Sequence, residues 1–483
     1  MNNPLRRVAL LCMVLFGLLL VNANYVQVVK AEDYANRPGN TRKLLEEYSR
    51  ERGPIVVEGR EVAYSTPTDD WLKYLRRYSA GPLYAHATGF YSMVYGSTGV
   101  EQARDSILAG TDDRLFVRRV IDLITGEQPK GGSVQLTLDA QAQRAAYRGL
   151  GDRKGAVVAL EPSTGAILAM VSRPSYNPAD LSSHSRDGMV QAWEGLNSRA
   201  DKPMFNRALN GLYPPGSTFK IVSAAAALSS GRFNTESELP GPSELNLPLT
   251  TATLPNYDGQ ACGPGGVTTL REALRISCNT AFGALGMKLG GQALRDQAER
   301  FGFNSDINVP NQAATSMFPQ HLDKPQQAQS AIGQYNVAAS PLQMAMVAAG
   351  VGNNGTVMEP YLVEEVQGPD LAPLDTADPE PLSEAVSPQV AAQLTDMMVT
   401  VVEEGTGPNA AIPGVTVAGK TGTAQHGTAS DPHAWFVSFA PAENPKVAVA
   451  VIIEGGADSA SEISGNELAA PIAREVMEAV LGR

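Results

Sequence analysis

The tetrad Ser217-Thr218-Phe219-Lys220 occurs once in the chain, directly after Tyr213-Pro214-Pro215-Gly216. Two prolines and a glycine impose an extended turn, and the apolar run from Ile221 to Leu228 then fits a buried helix. This sets Ser217 on the first turn of the helix and Lys220 one turn on, on the same face. A hydroxyl at a helix start with an amine in reach is the arrangement of a nucleophilic serine whose base is lysine. The same four residues also fit a helix N-cap followed by a solvated lysine, so the tetrad alone does not decide.

Two further motifs narrow the reading. Ser277-Cys278-Asn279 follows the helical stretch Leu270 to Ile276. Lys420-Thr421-Gly422-Thr423 follows Val415-Thr416-Val417-Ala418-Gly419, which reads as a strand. S-x-N is weak alone, recurring at Ser175-Tyr176-Asn177 and Ser464-Gly465-Asn466, but only the copy at Ser277 lies between the other two motifs. K-T-G occurs once and continues as Thr423-Ala424-Gln425. The order S-x-x-K, S-x-N, K-T-G resembles that of penicillin-binding proteins and serine β-lactamases. Gly155 to Gly165, Asn206-Arg207-Ala208, Gly333-Gln334-Tyr335, Ala339 to Ala345 and Ala434 to Pro441 also look like this family. Arg52-Gly53-Pro54-Ile55 is similar to the start of the external part of class B penicillin-binding proteins. Gly81 to His86 and Gly96 to Glu101 resemble the short actinobacterial penicillin-binding protein A type.

With 483 residues, two or three domains are expected. The formal charge of -12, with no basic run beyond the extreme N-terminus, argues against a nucleic-acid partner. Arg6-Arg7 precede an apolar run of 14 residues, Val8 to Val21, which continues more weakly to Val29. Read by itself this fits either a membrane span or a cleavable signal peptide. Class B relatives keep their anchor, so the resemblance implies a single span with the N-terminus inside. Either way, residues after 30 face an oxidising exterior. Cys12 lies in the apolar run, whereas Cys262 and Cys278 are an exported pair that invites a disulfide bracing the S-x-N loop. Two buried free thiols are the alternative.

The expected architecture is an α/β penicillin-binding transpeptidase fold. Ala156 to Leu160 and Ala166 to Val171 form a hairpin across Glu161-Pro162-Ser163-Thr164-Gly165. A second β region starts at Val415, runs through K-T-G, and includes His433 to Phe439, with Trp435, Val437 and Phe439 on one face, then Val447 to Ile453. These five strands make an antiparallel sheet with flanking helices, one at Leu468 to Leu481, and an inserted helical lobe over about 185–350. The chain then divides into a cytoplasmic tail (1–7), a membrane anchor (8–29), a smaller non-catalytic pedestal domain (30–132) and the transpeptidase domain (133–483). Helical patches such as Trp71 to Leu75 are expected in the pedestal. Pro369 to Pro381, acidic and proline-rich, reads as a surface loop.

The resemblance implies roles for the site residues. Ser217 is the nucleophile, and Lys220 is the base, which must be neutral and therefore shifted far below the ~10.4 of a free lysine. Ser277 relays a proton to the leaving amine. Asn279 holds Lys220 with one end of its amide and the substrate with the other. Lys420, Thr421 and Thr423 take the donor carboxylate, and Gly422 lets the substrate lie along the strand. The backbone N–H groups of Ser217 and Thr423 form the oxyanion hole. Among the five histidines, His426 and His433 are read as surface loop residues. No metal-ligand spacing, P-loop or dinucleotide fingerprint is present, so no cofactor is expected.

The leading expectation is a D,D-transpeptidase that cross-links peptidoglycan stem peptides ending in D-Ala-D-Ala and is acylated by β-lactams. Possible protein partners are cell-wall synthesis or division proteins. A D,D-carboxypeptidase or β-lactamase shares all three motifs. A non-catalytic scaffold or sensor is disfavoured by the intact motifs and by the seven residues ahead of the apolar run.

Overall fold

The run Gly155-Ala156-Val157-Val158-Ala159-Leu160 is buried at every position, which is the signature of a strand covered on both faces. The structure is a computed structural model that describes residues 2–30, 48–126, 128, 130–424, 432–455 and 464–483. Helix α1 (Asn2–Asn24) continues through a wide turn, so that Asn3–Val29 is long and apolar enough to cross a membrane. After it come β1 (Ile55–Val57), β2 (Arg60–Pro67), β3 (Tyr74–Tyr78), helix α2 (Phe116–Thr125) and β4 (Ser133–Leu136). Helix α3 (Ala140–Leu150), β5 (Gly155–Leu160) and β6 (Ile167–Arg173) open the second sheet. The inserted lobe holds α4 (Lys220–Ser229), α5 (Leu270–Arg275), α6 (Asn279–Leu289) and α7 (Pro341–Gly352). Then follow β7 (Val363–Gln367), β8 (Pro373–Thr376), α8 (Pro388–Glu403), β9 (Ala418–Ala424), β10 (His433–Ala440), β11 (Val447–Ile453) and α9 (Ala470–Val480).

The five-stranded sheet has the order β9-β10-β11-β5-β6, antiparallel throughout. Alternation decides its two faces. Trp435, Val437 and Phe439 of β10 point into the core shared with α4 and α7, while Ala434 and Phe436 point into the core under α3 and α9. Burial on both sides makes β10 and β11 rigid, and β9 is left as the edge strand.

A six-stranded sheet, β8-β7-β4-β1-β2-β3, organises the N-terminal part. Residue 133, where the expected division of the chain falls, opens β4 in the middle of this sheet. There β4 runs parallel to β1 and antiparallel to β7. Three local readings are corrected. Trp71 to Leu75 is not helical: Asp70 accepts from the Leu72 N–H, Lys73 turns left-handed at φ 62°, and β3 starts at Tyr74. The K-T-G strand starts at Ala418, not Val415, because the Ile412 to Val415 turn intervenes. Pro369 to Pro381 includes β8 and the first residue of a short strand, Pro381–Glu384, both at sheet edges where proline is tolerated.

The N-terminal sheet is fastened by a buried ionic cluster. Glu101 takes Arg52 at 2.6 Å and Arg76 at 2.7 Å, all three side chains being almost wholly buried. Arg52 reaches outward to Asp105 at 2.7 Å, and Arg76 donates to the Gly53 carbonyl at 2.8 Å. Glu101→Gln leaves the buried Arg76 without its carboxylate and Arg52 with only the half-exposed Asp105, and a stability loss of about 3–5 kcal/mol is expected in the first transition of a urea melt. Asp105→Asn, on the half-exposed outer partner, should cost no more than about 1 kcal/mol. Equal losses for the two variants would contradict the reading.

Candidate active site

The turn that carries Ser217 is held from four sides. Thr218 Oγ1 donates to the Pro215 carbonyl at 2.7 Å, and Gly216 N–H donates to the Gly333 carbonyl at 3.0 Å. Trp435 Nε1 donates to the Pro214 carbonyl at 3.0 Å, and Tyr213 exchanges backbone bonds with Ala339. Gly216 is left-handed at φ +54°, and a Cβ there would stand 2.9 Å from the Thr423 carbonyl, so glycine alone lets this turn touch the K-T-G strand. Residues Gly216–Phe219 form one 3-10 turn that runs into α4. Phe219 stacks on Phe318 and meets Phe303 edge-on, each at 5.6 Å, which fixes the start of α4. Ser217 remains half-exposed, on the wall of a cleft.

Lys220 is fully buried. Its Nζ lies 2.6 Å from the Ser277 carbonyl, 2.7 Å from Asn279 Oδ1 and 3.2 Å from Ser277 Oγ. Lys420, equally buried, donates to Ser277 Oγ at 2.9 Å and to the Thr421 carbonyl at 2.9 Å. One serine hydroxyl thus joins two lysine amines, and every partner named is a neutral oxygen. Burial, and then the charge on Lys420, drive Lys220 well below the ordinary lysine range. Burial brings Lys420 down to about 7. A neutral Lys220 has two N–H bonds for the two carbonyl-type oxygens. Its lone pair is then free to face a hydroxyl.

The S-x-N loop is held in a conformation its residues do not favour. Ser277 is left-handed at φ 63°. Asn256 holds the loop from outside: its Oδ1 accepts from the N–H groups of Asn279 and Thr280, each at 3.0 Å. Its Nδ2 donates to the carbonyls of Pro242 at 2.9 Å and Gln260 at 2.7 Å. A disulfide joins Cys262 to Cys278 with Cα atoms 6.0 Å apart, tying the same outer loop to the motif. Asn279 Nδ2 donates to the Pro255 carbonyl at 3.2 Å, so the amide end expected to face substrate has an internal acceptor here.

The cleft has a volume of about 930 Å³ and is lined by Ser217, Ser277, Asn279, Thr421, Gly422 and Thr423, among others. Lys220 and Lys420 lie buried beneath it, reached through Ser277. Thr421 Oγ1 is 2.7 Å from Thr406 Oγ1. Gly422 has no room for a side chain: a Cβ would stand 2.9 Å from Thr218 and 3.0 Å from Trp435. With β9 at the sheet edge, an extended peptide has a strand to pair with. All eight site residues expected from the motifs therefore meet around one cleft.

His433 is corrected. It is the first residue of the interior strand β10, is buried, accepts from the Gly455 N–H at 3.1 Å and meets Tyr213 edge-on. Gln425 and His426 lie outside the described residues. Asn256, Thr406 and the pair Tyr213–Glu454, joined at 2.7 Å, were not singled out by the motifs. The turn-like Pro255-Asn256-Tyr257-Asp258-Gly259 was the only sequence signal for Asn256.

The sequence matches the penicillin binding protein transpeptidase domain over residues 155–478 and the penicillin binding protein A dimerisation domain over residues 52–134. Peptidoglycan D,D-transpeptidase PbpA of Mycolicibacterium smegmatis is 48% identical over 490 residues, covering 100% of this chain and 99% of that protein. The ceftriaxone acyl-enzyme complex of penicillin-binding protein A from M. tuberculosis has a TM-score of 0.88 at 47% identity, covering 90% of this chain and 100% of that one. Pseudomonas aeruginosa PBP2 has a TM-score of 0.74 at 31% identity, covering 89% and 95%. This chain belongs to the penicillin-binding protein transpeptidase family.

Proposed function

We propose that this chain is a peptidoglycan D,D-transpeptidase, a serine acyltransferase that is itself acylated by β-lactams. The observation that carries the mechanism is the pair of buried lysines sharing Ser277 beneath the cleft that holds Ser217. Ser217 Oγ attacks the carbonyl between the two terminal D-Ala residues of a donor stem. Lys220, kept neutral, takes the serine proton. The backbone N–H groups of Ser217 and Thr423 hold the tetrahedral oxyanion. Ser277, fed by Lys420, passes a proton to the departing D-Ala amine. The ester on Ser217 is then resolved by an amine of a second stem.

Thr421, Thr423 and Lys420 take the donor carboxylate, and Gly422 lets the peptide lie on β9. Asn279 orients Lys220. Residues 8–29 are the single membrane anchor, with 1–7 inside, the pedestal 30–132 outside, and the catalytic part from 133 to 483 beyond it. The pedestal is the surface offered to cell-wall synthesis or division proteins. Purified full-length chain given labelled donor and acceptor stems should form cross-links in excess of hydrolysed donor. Hydrolysis alone would make it a carboxypeptidase.

Ser217→Ala should abolish covalent labelling by fluorescent penicillin without changing the melting temperature by more than a few degrees. Lys220→Arg puts a permanent cation there that cannot deprotonate, and should slow acylation by at least ~10³-fold. Labelling of Lys220→Arg at the parent rate would place the base elsewhere.

Asn256→Ala leaves the two N–H groups behind Asn279 without their acceptor. It should slow acylation roughly 10–100-fold through misplacement of the loop, with Ser217 still labelled on long incubation. Reduction of Cys262–Cys278 should move the rate in the same direction. A rate within about twofold of the parent for Asn256→Ala would remove it from the site.

A further inference from the structure

The hydroxyl that the K-T-G motif offers to a carboxylate has a companion. Thr421 is 8% exposed, and its Oγ1 lies 2.7 Å from Oγ1 of Thr406, a residue of the same cleft that belongs to none of the three motifs. Among the described residues, no carbonyl, amide or charged group hydrogen-bonds to either hydroxyl. The two are bonded to each other and otherwise open to whatever enters the cleft.

Thr406 stands in the tight loop that leaves α8, between Gly405 and Gly407. A Cβ at Gly405 would stand 2.5 Å from the Arg275 carbonyl, and one at Gly407 3.2 Å from Phe436. The two glycines therefore let the loop lie between the end of α5, which leads into S-x-N, and strand β10. Arg275 donates to the Glu404 carbonyl, and Gly407 N–H donates to the Val401 carbonyl at 2.9 Å. On the far side, Asn409 N–H donates to Asn466 Oδ1 at 3.0 Å and Asn409 Nδ2 to the Asn466 carbonyl at 3.2 Å. Asn466 closes Ser464-Gly465-Asn466, the S-x-N copy that lies outside the catalytic order. A loop pinned at both ends holds one hydroxyl at a fixed place. A purely mechanical tether of the loop to β9 is the competing role for the same bond.

Counting protons gives the pair a direction. Each hydroxyl has one hydrogen and two lone pairs, and one hydrogen is spent between them, so one is left for the cleft. A carboxylate only accepts. Its arrival at Thr421 fixes Thr406 as donor to Thr421, and Thr421 as donor to the carboxylate. The first bond polarises the second and strengthens it. Lys420 donates to Ser277 Oγ and to the Thr421 carbonyl, which leaves it at most one N–H for an anion, so the hydroxyls carry part of the recognition.

We propose that Thr406 is a positioning residue for acyl transfer: it orders the Thr421 hydroxyl that recognises the free carboxylate of a donor stem or of a β-lactam. This rests on the reading of Thr421 as a partner of that carboxylate. Thr406 acts through Thr421 and not on the reacting atoms. Hydrogen bonds to an ionised acceptor are about twice as strong as those to a neutral one, so the pair favours a free acid over its ester.

The test compares acylation of the full-length chain by benzylpenicillin and by its methyl ester, each rate measured in competition with a fluorescent penicillin. The parent should react faster with the acid than with the ester. Thr406→Val keeps the branched shape and removes the hydroxyl. It should shrink the preference for the acid roughly 5–20-fold, whereas Thr406→Ser should keep it within about twofold of the parent. A mechanical tether moves both rates together, so an undiminished preference in Thr406→Val overturns the proposal whether or not the rates fall. Loss of the preference in Thr406→Ser also overturns it, because the hydroxyl is then not the acting group. If Thr406→Val takes no fluorescent penicillin at all, Thr406→Ala is judged by the same ratio. A parent that reacts equally with acid and ester overturns the carboxylate role of Thr421, and the proposal with it, while the assignment of Ser217 stands.

Discussion

Two lysine amines held out of water around one serine hydroxyl are the constraint to which the rest of this structure answers. Lys220 and Lys420 are both fully buried, and both hydrogen-bond to Ser277 Oγ. Buried cations ordinarily take a carboxylate partner; here the partners are carbonyls, an amide oxygen and a hydroxyl. The unfavourable charge is relieved by losing a proton, which is what a base for Ser217 requires. A lysine brought down to about 7 disfavours the folded state by roughly 4 kcal/mol at pH 7. The sign follows from proton counts. Between pH 7 and the unfolded lysine value near 10.5, the unfolded chain binds more protons, so this penalty shrinks as pH rises. The fold carries the penalty in a large apolar core and gains reactivity at the cleft.

The geometry is produced by three segments far apart in sequence. Helix α4 brings Lys220, the S-x-N loop brings Ser277 and Asn279, and edge strand β9 brings Lys420. Each is immobilised by a different device: aromatic packing around Phe219, the Asn256 clamp with the Cys262–Cys278 bridge, and two-sided burial of β10 behind β9. Contact between the segments depends on glycines. Gly216 against Thr423, Gly333 against Gly216 and Gly422 against Thr218 leave no space for a side chain. The cleft is thus the meeting line of the sheet and the helical lobe, and its residues approach as closely as backbone allows.

The chemistry-bearing residues were legible because each sits in a short motif whose neighbours dictate local structure. Pro214-Pro215-Gly216 starts a helix, and the alternation in His433 to Phe439 marks a strand. The five-stranded sheet was legible for the same reason, since β5 and β11 are continuous apolar runs, β6 is nearly one, and β9 carries the K-T-G motif. What could not be read depends on distant partners. Nothing in Ser133 to Leu136 says that it pairs with both Ile55 and Val366. Nothing in Asn256 says that its amide closes the loop behind Asn279, and His433 becomes a core residue only because β10 is paired on both sides. The acidic, proline-rich stretch after Pro369 looked like a loop because sheet edges admit the residues that sheet interiors exclude.

The central claim is that Lys220 is a neutral amine in the resting protein. Its most direct test is the 13Cε chemical shift of Lys220 in lysine-labelled protein, assigned by loss of the signal in Lys220→Arg and followed from pH 5 to pH 11. The account predicts a neutral-amine shift at pH 8, far below the ordinary lysine titration near 10.4. It also predicts that Lys420→Met moves the Lys220 titration upward, because a neighbouring cation has been removed. A Lys220 signal that stays in the ammonium form to pH 10, unchanged by Lys420→Met, would contradict it.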